Sequence, residues 1–229
     1  MRVHDCNWMQ LEDYLRRDDR IVLPLGSTEQ HAFLSLGTDN ILSERVAVEA
    51  AEPLDIPVLP PLAYGITTLY AAYPGSPSLR LGTHARVVRE LLESLHGQGF
   101  RRILVVNGHG GNGPTRAVVA EWMADTEGEA LWHDWYHGPK LRAAADSVGP
   151  LVHANWSENF PWNRVEGVEL PAEPKPLVDP PFTTPAAFRE AACDGSYGGP
   201  YAADDEEMLR LWSVAVDEVR ELLEHGWRA

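Results

Sequence analysis

Short apolar runs alternate with helix-like segments along the first two thirds of the chain. Residues 21–26 predict a buried strand that ends in a turn, and residues 101–107 predict the clearest strand. The latter has four consecutive apolar residues, which is typical of a central strand covered on both faces. Residues 57–60 and 130–132 predict two further short strands, the first limited by its prolines.

Between these runs, apolar residues recur at the spacing of an amphipathic helix. Residues 40–51 predict a helix capped by the asparagine that begins it, and a second predicted helix is capped by Thr83 and ended by glycines. Residues 115–124 and 206–225 predict two more helices. This alternation predicts an α/β fold with a largely parallel sheet.

The segment from residue 160 to 185 contains seven prolines and predicts a long loop. Loops of this length inside a compact domain are usually functional or form interfaces. We therefore predict that residues 161–185 form a subunit contact or a lid over a pocket. The sequence shows no internal repeat, and we interpret residues 1–229 as one domain.

The overall charge limits the kind of partner. The 229 residues include 19 Lys and Arg against 34 Asp and Glu, a formal net charge of −15. Binding of nucleic acid or of an anionic membrane surface requires clustered basic residues, so neither is expected. No apolar run approaches the ~20 residues of a membrane span, and the first residues lack the pattern of a secretory signal. With Cys6 and Cys193 far apart, we expect a cytoplasmic enzyme with two buried thiols and no disulfide framework.

Three segments place metal-binding side chains after predicted strands, where sites in α/β sheets form. The first runs from Gly26 to His31 and is followed by Asp39. In extended backbone Glu29 and His31 project to the same side. Together with Asp39 they are suitable ligands for a divalent metal. The alternative is a polar loop in which Asp39 caps a helix.

The second segment, residues 107–112, reads Asn-Gly-His-Gly-Gly-Asn. Its glycines allow a tight bend and the close approach of a ligand, which would expose His109 at the tip of the strand. The alternatives are a glycine-rich turn with an incidental histidine, or a phosphate cradle. The segment lacks the spacing of a P-loop or of a dinucleotide-binding fingerprint.

The third segment, residues 153–160, follows an expected strand end at residues 150–152. His153 and Glu158 could supply a proton-transfer group and a further metal ligand. Either side chain alone is more often packed or solvated than catalytic, but three such segments in one chain favour a common site.

Taken together, these motifs resemble those of the creatininase family. That family carries G-S-x-E-Q-H, then G-T-D, then N-G-H-G-G-N or N-G-H-Y-E-N, then H-A-G-x-x-E. Here the corresponding segments are residues 26–31, 37–39, 107–112 and 153–158, in the same order and at similar spacing.

The resemblance implies a three-layer α/β/α sandwich with a mostly parallel central sheet and a centre of two divalent metal ions (Zn, Mn or Fe). By position, Glu29 and His109 would bind one ion, His31 and Glu158 would bind the other, and Asp39 would bridge them. It further implies that His153 donates a proton during hydrolysis, and that the chain forms a homo-oligomer, a hexamer in many family members.

The chain also departs from the family pattern. Residues 32–36 are one residue shorter and lack a second histidine, Asn155 replaces a glycine, Gly111 stands where some members have an acidic ligand, and Tyr70 stands near a common histidine. Because these positions line the expected pocket, creatinine itself is doubtful as the substrate, whereas hydrolysis remains expected.

Aromatic residues are the candidates for the pocket wall, since aromatic rings suit a small flat or cyclic substrate. The candidates are Tyr70, Trp135, Tyr136, Trp156, Phe160 and Trp162. Ordinary packing is the alternative for each of them, and Arg164 is interpreted as a surface residue rather than a carboxylate-binding one.

Three functions remain open. The first is hydrolysis of a small cyclic amide or formamide, in which a metal-activated water attacks the carbonyl. The second is ring opening of a cyclic ketone such as a keto-inositol, by C–C cleavage. The third is a non-catalytic module that binds a metal or a sugar phosphate.

Overall fold

A computed structural model describes residues 1–179 and 184–228. At its centre lies a parallel sheet of three strands in the order β1, β2, β3. The strands are β1 (Arg20–Leu25), β2 (Arg102–Asn107) and β3 (Glu129–Asp134). The register pairs Leu25 with Asn107 and Asn107 with Asp134, so all three strands end at the same edge.

Seven α-helices surround the sheet within the described residues. They are α1 (Trp8–Tyr14), α2 (Thr38–Ala51), α3 (Leu81–Gln98), α4 (Arg116–Asp125), α5 (Pro139–Ala145), α6 (Pro185–Ala192) and α7 (Asp205–His225). In the part of the chain that the structure describes, none of the helices is both long and apolar enough to span a bilayer.

Alternate residues of each strand face two separate cores. Val22, Leu104 and Val106 pack with α2, α5 and α7 on one face. On the other face, residues such as Leu23 and Val105 pack with α3 and α4. The expectation of a central strand covered on both faces is therefore confirmed for β2, and so is the three-layer α/β/α sandwich.

Several local predictions are wrong. Residues 57–60 do not form a strand, because flanking prolines leave Val58 with only isolated bridges to Val22 and Arg2. Helix α2 begins at Thr38, so Asn40 lies inside the helix and does not cap it. Helix α3 begins at Leu81 after Arg80, which leaves Thr83 within its first turn.

Residues 160–179 contain no helix or regular strand, as the proline content predicts, and α6 begins at Pro185. Residues 180–183 of the same predicted loop lie outside the described residues. The expected strand end at residues 150–152 is absent. The expectation of buried thiols is also wrong, because Cys6 is half-buried and Cys193 is exposed.

Candidate active site

The carboxyl edge of the sheet collects the first two segments of candidate ligands. Glu29 and His31 follow β1, His109 follows β2, and Asp39 lies in the first turn of α2. Glycine makes this approach possible, because a Cβ at Gly108 would lie 2.7 Å from the carbonyl oxygen of Asp39. The start of α2 therefore packs directly on the end of β2.

Five side chains predicted as metal ligands meet at this edge. Glu29, Asp39 and His109 form one group whose ligand atoms lie within 4.8 Å of one another. His31, Asp39 and Glu158 form a second group that meets the same limit, so Asp39 belongs to both. Four of the five are buried, and Glu158 is nearly so.

Both imidazoles present a ring nitrogen to carboxylates while the opposite nitrogen faces a backbone carbonyl. His109 Nδ1 lies 3.1 Å from Glu29 Oε1 and 3.1 Å from Asp39 Oδ2, and its Nε2 lies 3.0 Å from the carbonyl oxygen of Ile66. His31 Nε2 lies 3.0 Å from Asp39 Oδ1, and its Nδ1 lies 3.3 Å from the carbonyl oxygen of Glu29. This arrangement is typical of metal-binding histidines, whose outer N–H is fixed by a neighbouring acceptor.

These residues fit a divalent cation. Both carboxylate oxygens of Glu29 and the Nε2 of His31 are buried without an aligned hydrogen bond in the described structure. Two atoms that bind the same ion at about 2.1 Å lie roughly 3–3.5 Å apart, as His109 does from Glu29 and Asp39 and as His31 does from Asp39. Carboxylate oxygens and imidazoles without thiolate suit Zn, Mn or Fe.

The electrostatics of the cluster favour positive charge. Burial would lower the pKa of His31, but the charge and hydrogen bond of Asp39 raise it to about 10. Burial would likewise lower the pKa of His109, yet Glu29 and Asp39 hold it well above its usual value. Burial raises the pKa of Glu158 to about 7, partly offset by His31. The carboxylates therefore favour protonation of both imidazoles. A bound cation would take the place of those protons.

Hydroxyl and amide side chains hold the ligands in place. Ser27 Oγ donates to Asp39 Oδ2 at 2.8 Å. Asn107 Nδ2 donates to the carbonyl oxygen of His109 at 2.8 Å, and Asn112 Nδ2 donates to that of Gly26 at 3.0 Å. The first and second sequence segments are thus joined by hydrogen bonds.

His153 and Glu158 reach the site from a loop and a short 3₁₀ turn (Trp156–Glu158), not from a strand end. The backbone N–H of Ala154 donates to Glu158 Oε2 at 2.6 Å, which aims the carboxylate inward. Ala154 adopts a left-handed conformation with φ of 55°. This conformation is costly for a residue with a Cβ and is found most often at functional sites.

His153 packs beside the ligands. Its Nδ1 lies 3.9 Å from Glu29 Oε1, and it forms a third close group with Glu29 and His31. Its Nε2 lies 2.8 Å from the side-chain nitrogen of Gln30, which also donates to the carbonyl oxygen of Gly195. The same Nε2 lies 3.1 Å from the backbone carbonyl oxygen of Gln30, so Gln30 contacts this nitrogen with both its side chain and its backbone. Burial and the charge of His31 lower the pKa of His153 well below its usual value.

A cavity of about 740 Å³ opens above the ligands. Five of the six predicted wall residues line it, namely Tyr70, Trp135, Tyr136, Trp156 and Phe160. Aliphatic side chains such as Leu69, Leu141 and Leu211 make up much of the rest of the wall, together with a few hydroxyl side chains. Among the described residues, no lysine or arginine lines the cavity.

Two other residues that the sequence analysis considered for the pocket lie outside the cavity wall. Trp162 does not line the cavity; it stacks on Phe160, and the guanidinium of Arg45 lies over its ring. Arg164 pairs with Asp205 and donates to Asn159, as expected of a surface residue.

Sequence reasoning missed Gln30 and Tyr197. Gln30 stands between two predicted ligands and was not assigned a role of its own, although its position inside the motif was the available signal. Tyr197 lines the cavity from a glycine-rich segment near the carboxyl terminus, and no motif in the sequence marks it.

A family model described as creatininase, creatinine amidohydrolase, matches residues 4–223. Among curated proteins, the chain is 35% identical over 123 residues to a mycofactocin precursor peptide peptidase of Mycolicibacterium smegmatis, covering 49% of this chain and 48% of that protein. It is 29% identical over 114 residues to creatinine amidohydrolase of Pseudomonas putida, covering 47% and 44%. It is 28% identical over 155 residues to 3-dehydro-scyllo-inosose hydrolase of Thermotoga maritima, covering 64% and 50%. The chain spans about half the length of the curated relatives it matches.

Solved structures extend the likeness over the whole chain. A creatininase crystal structure superposes with a TM-score of 0.81 at 21% identity, covering 100% of this chain and 98% of that one. A Zn–Zn form of a creatininase mutant superposes with a TM-score of 0.80 at 21% identity, with the same coverage. At this identity the likeness establishes the fold.

Proposed function

The chain belongs to the creatininase family of metal-dependent amidohydrolases, and we propose that it hydrolyses the C–N bond of a small, neutral amide that carries an apolar group. The resemblance found in the sequence is thereby confirmed. The observation that carries the proposal is the pair of ligand groups that share Asp39 on the floor of an apolar cavity.

The proposed cofactor is two divalent ions per chain. Glu29 and His109 would hold one ion, His31 and Glu158 would hold the other, and Asp39 would contact both. When bound, such ions supply Lewis acidity toward a carbonyl oxygen and lower the pKa of the water that they bind.

The chain's own residues would complete the reaction. Burial and the charge of His31 lower the pKa of His153, so its imidazole is neutral at pH 7 and can accept a proton. We propose that it first takes a proton from the attacking water and then, as imidazolium, donates that proton to the leaving nitrogen. Gln30 fixes the orientation of this imidazole through its side-chain amide.

The cavity supports a neutral substrate with an apolar portion. Its volume lies within the range of sites for drug-sized ligands and exceeds what a bare five-membered lactam needs. With neither lysine nor arginine among the described lining residues, a substrate carboxylate away from the ligand cluster would lose its hydration without gaining a permanently charged partner. A cyclic amide or formamide with an apolar substituent fits best.

The two other functions are less well supported. A keto-inositol carries a hydroxyl on most ring carbons, and the exposed surface of the cavity wall is mainly apolar, so part of that surface would face the hydroxyls without a hydrogen bond. The inosose hydrolase among the relatives nevertheless makes a keto-cyclitol a necessary test substrate. A non-catalytic metal or sugar-phosphate module would not need His153 beside the ligands.

The experiment is a hydrolysis screen of the metal-loaded protein. The panel contains creatinine, substituted lactams and cyclic imides, N-formyl amines, blocked dipeptides and a keto-cyclitol, since the relatives are named for several of these classes. We expect turnover of apolar amides and its loss on chelation. Turnover of the keto-cyclitol alone, or of no compound with two ions bound, would overturn the proposal.

A homo-oligomeric, hexameric assembly and a cytoplasmic location remain predictions from the sequence. Sedimentation velocity of the purified protein tests the first. The role of residues 161–185 as a contact or lid is likewise a prediction.

A further inference from the structure

Two tyrosines that are distant in sequence meet in the wall of the cavity. The hydroxyls of Tyr70 and Tyr197 lie 3.0 Å apart, and both residues line the cavity. They belong to neither of the two ligand groups that share Asp39. We refer to them as the tyrosine pair.

Packing fixes the two rings against the proposed proton donor. The Tyr70 ring stacks on His153, with centroids 4.8 Å apart and planes 13° apart, and its edge contacts Phe188. The Tyr197 ring lies 5.1 Å from His153. Because rings rather than hydroxyls make these contacts, phenylalanine at either position would keep the packing.

The backbone around Tyr197 is held on both sides. Its N–H donates to the carbonyl oxygen of His153 at 3.0 Å, and its own carbonyl accepts from Val178 at 2.9 Å. Lys175 Nζ donates to the carbonyl oxygens of Ala192 and Ser196, which secures the segment that precedes Tyr197. The Tyr197 hydroxyl is therefore placed by the fold.

The tyrosine pair has one hydroxyl hydrogen more than the bond between its two hydroxyls uses. Each phenol carries one hydrogen, and the bond between the two hydroxyls uses one of them. Within the described residues the second hydrogen has no protein partner. It lies in a largely apolar cavity that has no lysine or arginine in its lining.

We propose that the tyrosine pair determines specificity by donating this hydrogen to a neutral oxygen acceptor of the substrate, beyond the carbonyl that is cleaved. The inference rests on the proposed function, because it narrows the proposed substrate class to amides that carry a second carbonyl or hydroxyl oxygen. An uncharged donor suits an uncharged acceptor, in agreement with a described lining that contains neither lysine nor arginine. Neutral hydrogen bonds of this kind change affinity by about tenfold.

The test measures binding and turnover separately. The probes are glutarimide and 2-piperidone, six-membered rings that differ by one carbonyl oxygen. Their dissociation constants are measured by tryptophan fluorescence with the metal-loaded wild type, Tyr70→Phe, Tyr197→Phe and the double variant. Tyr64→Phe is the control, because Tyr64 is exposed and lies outside the cavity lining. Melting temperature and metal content are recorded for each protein.

We expect the wild type and Tyr64→Phe to bind glutarimide about tenfold more tightly than 2-piperidone. Each single variant at the tyrosine pair should lose most of this preference, and the double variant should lose less than the product of the two single effects. Equal preference in all proteins, or no preference in the wild type, overturns the inference. The hydrolysis screen reports separately on the proposed function, so binding without turnover would contradict that function and leave the tyrosine pair in place.

Discussion

At the scale of single residues, the site depends on the orientation of its two imidazoles. A backbone carbonyl faces the outer nitrogen of both His31 and His109, which turns the inner nitrogen toward Glu29 and Asp39. The side chains are thus aimed before any ion binds. Such preorganisation lowers the cost of ligand binding.

Replacement of His153 tests the proton donor. We expect His153→Ala to lower kcat by roughly 10²–10⁴-fold, because general acid assistance contributes that much, while metal content stays unchanged. The measurements are steady-state kinetics on the amide found in the screen and elemental analysis. His225→Ala, at an exposed position in α7, is the control. Full turnover by His153→Ala would show that another group protonates the leaving nitrogen.

Removal of the Ser27 hydroxyl tests the support of Asp39. Ser27→Ala deletes the donor to Asp39 Oδ2, and we expect metal affinity to fall by about 10–100-fold, as is usual when the partner of a ligand is lost. Competition with a fluorescent chelator measures the affinity. Ser213→Ala, on the exposed side of α7, should bind metal like the wild type. Unchanged affinity in Ser27→Ala would mean that this hydroxyl does not orient Asp39.

At the scale of secondary-structure elements, the contact between α2 and the strand ends brings the ligands together. Gly26 and Gly108 both lie where a Cβ would meet backbone atoms of Asn40 or Asp39 within 3 Å. The glycines of the two motifs therefore serve helix–strand packing as well as the conformation of the turn.

A single methyl group at this contact should disturb the site. We expect Gly108→Ala to lower the free energy of unfolding by about 1–3 kcal/mol, the usual cost of overpacking, and to weaken metal binding by displacing Asp39. Chemical denaturation and metal titration measure the two effects. Gly113→Ala is the matched control, since nothing lies within 4 Å of its added Cβ. Equal stability of the two variants would contradict this account of the contact.

The elements and candidate ligands that sequence could predict are those with local signals. Strand β2 was recognisable from four apolar residues in a row, and the five candidate ligands, which the structure brings together, from motifs at the ends of segments. Helix starts were misplaced because Gly37 and Arg80 precede helices without a side-chain cap. Tyr197 could not be predicted, because tertiary contacts alone bring it to Tyr70, 127 residues away.

At the scale of the whole molecule, charged groups tie the opposite edge of the sheet together. Arg20 and Arg102 both donate to Asp18, and Arg20 also donates to the carbonyl oxygen of Leu223 at the end of α7. Burial would raise the pKa of Asp18, but the hydrogen bonds and charge of Arg20 outweigh it and hold the pKa below its ordinary value.

This network predicts a pH-dependent contribution to stability. A carboxyl whose pKa is lowered by folding stabilises the protein above the pKa of the unfolded state, near 3.8, and loses this effect as the pH falls further. We expect Asp18→Asn to cost roughly 1–3 kcal/mol at pH 7. The difference from wild type should shrink below pH 4, as urea unfolding across pH would show. A difference that stayed constant down to pH 2 would assign the cost to shape rather than charge.

The most direct test of the central claim is anomalous scattering from crystals of the protein. The crystals are grown from protein that retains the metal with which it was purified. The account predicts two peaks per chain, one bounded by Glu29, Asp39 and His109 and the other by His31, Asp39 and Glu158. A single peak, ions bound elsewhere, or no peak in a protein that hydrolyses amides would contradict it.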